Sequence, residues 1–189
     1  YQIILMDQTI LNITLKKGGI PGPKPPDSGP DLKAALLFKG PASTPFLAPR
    51  GVFLYGNQLF VSDTGRNRVF IWNRLPQEEF CEPDIVLGQD DSAGTGRNAG
   101  GLVNASSLQY PSGIWSNGQI LIVADAWNHR VLIWHSLPTK HGQPADVVIG
   151  QRDFEQNQPN ADKVGANPLA NTLFWPYGVF SDGQQLWIA

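Results

Sequence analysis

One stretch of this chain is written twice. SDTGRNRVFIWNRLP occupies residues 62–76 and ADAWNHRVLIWHSLP residues 124–138, with Asp63, Arg68, Val69, Ile71, Trp72, Leu75 and Pro76 each recurring 62 residues later. A wider alignment adds a third copy. APRGVFLYGNQLFVSD (48–63), YPSGIWSNGQILIVAD (110–125) and WPYGVFSDGQQLWIA (175–189) place Gly51, Gly113 and Gly178 in one column, spaced 62 and 65. Self-similarity at a steady period means one structural unit repeated, with each unit burying its apolar faces against its neighbours.

Each copy reads alike. An apolar strand follows Pro-x-Gly, a Gly-Asn, Asn-Gly or Asp-Gly turn reverses the chain, and a second apolar strand follows, which is a strong hairpin signal. After a polar turn RVFIW or RVLIW supplies a third strand, and beyond Leu-Pro a fourth follows in DIVLGQ (84–89) or DVVIGQ (146–151). These are labelled strands A to D. The pattern predicts strands near 51–55, 59–62, 68–72 and 84–88, and again 62 residues on. Four antiparallel strands per unit describe a propeller blade, and 20 Gly and 16 Pro among short apolar runs suit strands joined by tight turns. The expected fold class is all-β: a β-propeller with four-stranded antiparallel blades, 62–65 residues per repeat, with only part of the ring covered.

The motifs resemble those of the NHL-repeat β-propeller family: Pro49-Arg50-Gly51-Val52, then Val123-Ala124-Asp125, then Asn128-His129-Arg130-Val131. Leu87-Gly88-Gln89 after strand D, and the Asp-Phe with an Asn- and Pro-containing loop in GQRDFEQNQPNA (150–161), are most similar to its long-repeat bacterial subgroup. The resemblance covers about residues 36–189 and implies the fold more than a function. It also implies an extracytoplasmic location: periplasmic, secreted or cell-surface.

Common propeller blades use roughly 40–50 residues, so about 20 per unit go elsewhere here. They lie between strands D and A, in 90–109 and 152–174, which are polar, Gly- and Asn-rich and without periodicity, and so read as long loops. Strand parity puts the D–A loops and the B–C turns at the same end. Asp63 with Arg68, and Asp125 with Arg130, bracket the B–C turn. The carboxylate is expected to cap the turn and the guanidinium to return a bond to it or to backbone carbonyls, as structural turn pairs.

Organisation follows from the repeat. Residues 1–30 are an N-terminal leader and a mobile Pro/Gly linker (GGIPGPKPPDSGP, 18–30), and 31–189 a partial propeller. Within it, 33–40 (KAALLFKG) is expected to be a closing strand D for the last blade, with blades at about 47–89 and 108–151 and the start of a third at 173–189. The register places an Asp after Ala189, so a longer protein is expected.

Charge and motifs exclude several classes. With 16% charged residues and a net charge of −2, no basic surface draws the chain to nucleic acid. No apolar run approaches the roughly 20 residues of a membrane span. One cysteine, Cys81, precludes an internal disulfide, and His129, His135 and His141 have no metal-ligand spacing, so neither a metal site nor a cofactor is expected. GTGRNAGG (94–101) is not followed by a helix pattern and reads as a flexible loop rather than a phosphate cradle. Trp72 and Trp134, in strand C, are expected between blades, and Trp115 and Trp187 are expected to pack as well. Trp127 differs, standing in a turn with His129.

The expected role is therefore a non-enzymatic binding or scaffold module presenting its D–A loops to a protein, a glycan or a larger assembly of which it is a subunit. Candidate binding residues are Trp127 and His129, flanked by Arg97 and Asn98 on one side and Arg152, Asp153 and Asn157 on the other. Phe154 is expected to tuck against the next blade. The alternative is a propeller enzyme: relatives in the resembling fold include a metal-dependent lyase and lactonases working at the central channel. No catalytic constellation of theirs stands in this sequence.

Overall fold

The computed structural model describes residues 3–5, 36–162 and 165–189. Ile3–Leu5 (β1) and Leu36–Phe38 (β2) form an antiparallel pair. Gly51–Tyr55 (β3), Gln58–Asp63 (β4), Arg68–Trp72 (β5) and Ile85–Leu87 (β6) make one four-stranded antiparallel sheet in chain order. Pro111–Ser116 (β7), Leu121–Asp125 (β8), Arg130–Trp134 (β9) and Val147–Ile149 (β10) make a second. Val179–Ser181 (β11) and Leu186–Ile188 (β12) form a hairpin. Among the described residues there is no α-helix, only one-turn 3₁₀ segments, and no helix long and apolar enough to cross a membrane.

The expected strands A to D are thus present in both complete units, in the meandering order expected of propeller blades. Strand A of the second unit starts early, at Pro111, with a register shift before Ile114. The interior strands read as unbroken apolar runs because both faces of each sheet are covered. Alternate side chains then divide between the faces. Phe60, Val69, Ile71, Ile85 and Leu87 of the first sheet pack on Ile114, Leu121, Val123, Leu132 and Trp134 of the second. Trp115, Ile122, Ala124 and Val131 pack in turn on Val179, Leu186 and Ile188 of the hairpin. The units therefore stack face to face in series, and each fully buried Ile, Leu or Phe contributes about 1.5–3 kcal/mol.

The other face of the first sheet carries Leu59, Val61, Phe70, Trp72 and Val86, closed by Phe38 and Phe46. Phe38 meets Trp72 edge-on at 5.0 Å between ring centroids. The segment expected to be a closing strand D for the last blade is a strand here and pairs with β1. Its continuation is tied to the first C–D connector, with Lys39 N–H donating to the Glu79 carbonyl (2.8 Å) and Cys81 N–H to that of Gly40 (3.0 Å). The linker at 18–30 lies outside the described residues.

The four tryptophans expected to pack divide three to one. Trp72 and Trp134 are buried, each indole N–H donating at 3.0 Å to a carbonyl of its own C–D connector, Glu82 and Gln143. Trp115 is buried as well. Trp187 instead stands 48% exposed beside Phe180 on the outer face of the β11–β12 hairpin.

Candidate binding face built from turns and loops

Each B–C turn is a single 3₁₀ turn, Thr64–Arg66 or Ala126–Asn128, closed by a left-handed residue, Asn67 (φ 55°) or His129 (φ 52°). Asn67 and Asn128 therefore play different parts. Asn67 stands at the left-handed site of His129, and Asn128 replaces Arg66.

Asp63 and Arg68 face each other across β4 and β5, with both side chains fully buried. Arg68 Nε donates to Asp63 Oδ2 at 2.9 Å, and Nη2 forms an ion pair with the same oxygen at 2.9 Å. Asp63 Oδ1 accepts the Leu47 N–H (2.6 Å), so the carboxylate does not cap its own turn, as expected from sequence, but holds the segment entering strand A. The rest of the guanidinium reaches the Thr44 carbonyl (2.8 Å) on that entering segment and the Ser92 carbonyl (2.6 Å) on the outgoing loop. The second unit repeats this. Arg130 Nε donates to Asp125 Oδ2 (2.8 Å), its other nitrogens to the Asn104 and Ser107 carbonyls (2.9 Å each) and the Phe154 carbonyl (2.7 Å), and Asp125 Oδ1 accepts Gln109 N–H (2.7 Å). Each pair thus ties three chain segments together.

Burial pushes both carboxyls above their ordinary range. At Asp63 the Leu47 N–H and Arg68 oppose the rise, and at Asp125 chiefly Arg130 and the Gln109 N–H. Two hydrogen bonds reach Asp63, from Arg68 Nε and the Leu47 N–H, and three reach Asp125, from Arg130 Nε, Asn128 Nδ2 (2.7 Å) and the Gln109 N–H, and with a guanidinium beside each carboxylate we assign both pairs as ionised.

The loops are not loose. The Gln that ends each strand D donates one amide nitrogen in two directions. Gln89 reaches the Asn67 carbonyl (3.1 Å) of the turn and the Gly96 carbonyl (2.7 Å) of the loop, and Gln151 reaches those of His129 (3.0 Å) and Gln158 (2.9 Å). Residues 94–101, expected to be flexible, are held further by Asn67 Nδ2 on the Thr95 carbonyl (3.0 Å) and Asn98 N–H on that of Leu108 (3.0 Å).

On this scaffold lies a row of aromatic rings. Tyr110 stacks on Trp127 (4.6 Å, 28°), Trp127 on Trp175 (6.1 Å, 29°) and Trp175 on Phe174 (4.7 Å, 25°). The Arg97 guanidinium sits 5.6 Å from the Tyr110 ring and 5.9 Å from that of Trp127. Trp127, Trp175 and Phe174 are exposed by 39%, 45% and 48%, so the row borders solvent while its ring faces are largely taken by one another.

No family model matches this chain, and no curated protein matches it.

Of the residues singled out in the sequence, Trp127 and Arg97 meet in this row. Asn98 is buried and exchanges hydrogen bonds with Asn128, its Oδ1 accepting at 2.8 Å, and Asn157 approaches the same Asn128 (3.5 Å). Asn98 and Asn157 also line one cleft between the two long loops, with Leu102, Asn104, Glu155 and Gln156. His129 is not on the surface. It is 7% exposed, beneath Phe174 and Trp175, with Nδ1 accepting the Trp175 N–H (3.1 Å), and burial lowers its pKa. Arg152 lines a different cleft with Asn160, Asp162 and Thr172, and Asp153 folds back on the Glu155 N–H (2.9 Å). Phe154 packs on the core shared by the first two sheets rather than on a following unit.

Sequence reading missed Tyr110, Phe174 and Trp175. Trp127 is not alone in lacking a strand, because Trp175 also precedes one. The signal was available in the alignment: Ala48, Tyr110 and Trp175 fill one column before Pro, all left-handed (φ 50°, 50° and 52°), which pins their side chains at the mouth of strand A. Among the described residues no three His, Cys, Asp or Glu side chains group as a metal site.

Proposed function

We propose that this chain is part of an NHL-type β-propeller whose loop-bearing end binds a protein partner, without catalysis. The observation that carries this reading is the stacked row of half-buried Tyr110 and exposed Trp127, Trp175 and Phe174 with Arg97 against it. Trp, Tyr and Arg dominate binding energy at protein interfaces, and their rings lose little entropy when immobilised. The surrounding loops supply Asn, Gln and Ser, the adaptable polar groups of recognition loops. A protein is favoured over a glycan because sugar recognition needs a free ring face, and here the rings are stacked on one another with the Arg97 guanidinium over those of Tyr110 and Trp127. The two buried acids at this end, Asp63 and Asp125, are occupied by Arg68 and Arg130 and are unsuited to proton transfer.

The test compares Trp127→Ala and Arg97→Ala with the parent chain in partner capture from the source organism and in binding to a glycan panel. Loss of a captured protein in both variants, with unchanged far-ultraviolet circular dichroism, supports the reading. A glycan bound by the parent and lost in the variants shifts the ligand class. Retention of every partner by both variants overturns the site.

A further inference from the structure

The second B–C turn holds the cleft between the two long loops from below. Arg130 donates to the Asn104 carbonyl (2.9 Å) in one loop and to the Phe154 carbonyl (2.7 Å) in the other, so one fully buried side chain fixes both walls. Asn128, buried beside it and anchored on Asp125 Oδ2 (2.7 Å), meets Asn98 of the first loop and Asn157 of the second. The first unit has Arg66 in place of Asn128, so this amide floor belongs to the second turn. The walls are therefore set from the core. The cleft measures about 890 Å³, and ligand clefts span roughly 300–1,000 Å³.

The floor keeps hydrogen-bonding capacity. Asn98 is 8% exposed, yet its amide nitrogen reaches Gln109 Oε1 and Asn128 Oδ1 only at 3.4 Å, and that of Asn157 reaches Asn128 Oδ1 at 3.5 Å. Well-formed N–H···O bonds lie near about 2.9 Å, so an oxygen entering the cleft would be bonded better than the acceptors now in reach. On the walls, Leu102, 88% exposed, and Val103 form an aliphatic patch. Leu102 is not on a loose tip: the Gly101 N–H donates to the Asn98 carbonyl (2.9 Å) on one side of it and the Asn104 N–H to Ser107 Oγ (2.9 Å) on the other. Glu155 is the one charged side chain in the lining, which contains no aromatic ring.

These groups select an occupant. A carboxamide offers a donor and an acceptor side by side, as a peptide group does, so Asn and Gln bond a main chain whatever its sequence. Glu155 opposes an anion, and a sugar finds no ring here to cover its apolar face. An extended peptide brings carbonyls for the floor, an aliphatic side chain for Leu102 and a cation for Glu155. We propose that the cleft takes an extended segment of the partner protein, its main chain bonded by Asn98 and Asn157, an aliphatic side chain on Leu102 and Val103, and a lysine or arginine beside Glu155. The proposal rests on the protein-binding reading and specifies which part of the partner enters. Walls fixed by Arg130 lower the ordering cost of binding on this side.

The test selects random peptides displayed on phage against the parent chain and measures the enriched sequences, as synthetic peptides, by fluorescence polarisation. They are expected to combine Lys or Arg with Leu, Ile or Val. Glu155→Lys and Leu102→Ser, both at exposed positions and expected to keep the parent circular dichroism, should each weaken binding by about tenfold or more, and selection on Glu155→Lys should return peptides bearing Asp or Glu. Peptides that bind both variants as they bind the parent overturn the proposal; if Trp127→Ala or Arg97→Ala abolishes their binding, the protein-binding reading stands and only the cleft is lost. Absence of any enriched peptide overturns it as well, while capture of a protein by the parent still decides the protein-binding reading separately. A glycan bound by the parent and lost in Leu102→Ser replaces the peptide with a saccharide and also overturns it.

Discussion

The two complete units share their turn backbone and differ in what they place on it. Gly65 and Trp127 occupy the same turn position, and their N–H groups make the same bond, to the Leu47 carbonyl (2.9 Å) and the Gln109 carbonyl (3.1 Å). In the first unit the Leu47 side chain lies over the turn, so a Cβ on Gly65 would sit 2.8 Å from Leu47 Cγ and 2.6 Å from its carbonyl oxygen. In the second unit Gln109 meets Asn98 instead (3.4 Å), and Trp127 takes its place against Tyr110. The Asp–Arg pair below is the same in both. Scaffold and display are therefore separable: the buried pair sets the path of three segments, and the residues above it vary with little effect on that path.

The largest test of this equivalence removes the shared part. Arg68→Ala and Arg130→Ala each leave a buried carboxylate without its partner and are expected to cost about 3–5 kcal/mol in denaturant unfolding. If the units are equivalent, the two costs agree to within about 1 kcal/mol, the span of ordinary context effects among point mutants. A small cost at one site alone would break the comparison.

Exchanging the displayed part comes next. Gly65→Trp forces the indole against Leu47 and is expected to destabilise by about 1–3 kcal/mol, while adding Leu47→Gln and Ala48→Tyr relieves most of it. Trp127→Gly loses ring stacking of about 0.5–1.5 kcal/mol per pair. Melting of the single and triple variants checks this, and a triple variant no more stable than Gly65→Trp would show that the turns differ beyond these residues.

The smallest expected effect is in pH dependence. Burial lowers the His129 pKa below its ordinary 6.5, so the unfolded chain binds the proton more tightly and stability is lost as pH falls through 6.5 toward the folded value. Protonation would also remove the acceptor of the Trp175 N–H. His129→Asn restores the residue of the first unit, which tolerates the left-handed backbone, and is expected to flatten the dependence of melting temperature on pH between about 5 and 7. An unchanged slope would place the sensitivity elsewhere.

Strand positions were legible because each strand carries its own apolar run between turn signals, and the Asp–Arg pairing was legible because a period of 62 set both residues at one turn. Trp127 was legible as an aromatic with no strand to bury it. The loops were not, since their order comes from Gln89 and Gln151, whose amides bond to segments distant in the chain. His129 was misread for a related reason: a turn position suggests exposure, but Phe174 and Trp175 from the next unit cover it.

By itself the amino-acid sequence determined the repeat, the four-stranded all-β unit and the end of the unit that carries loops and turns, because hydrophobic period, turn chemistry and strand parity act over a few residues. Only the tertiary structure decided which surface residues form one site. The aromatic row joins side chains from strand mouths and a turn in successive units, and the Asp–Arg hub recruits carbonyls up to 26 residues away. Such contacts depend on how units stack and where loops return, and no local pattern encodes that distance.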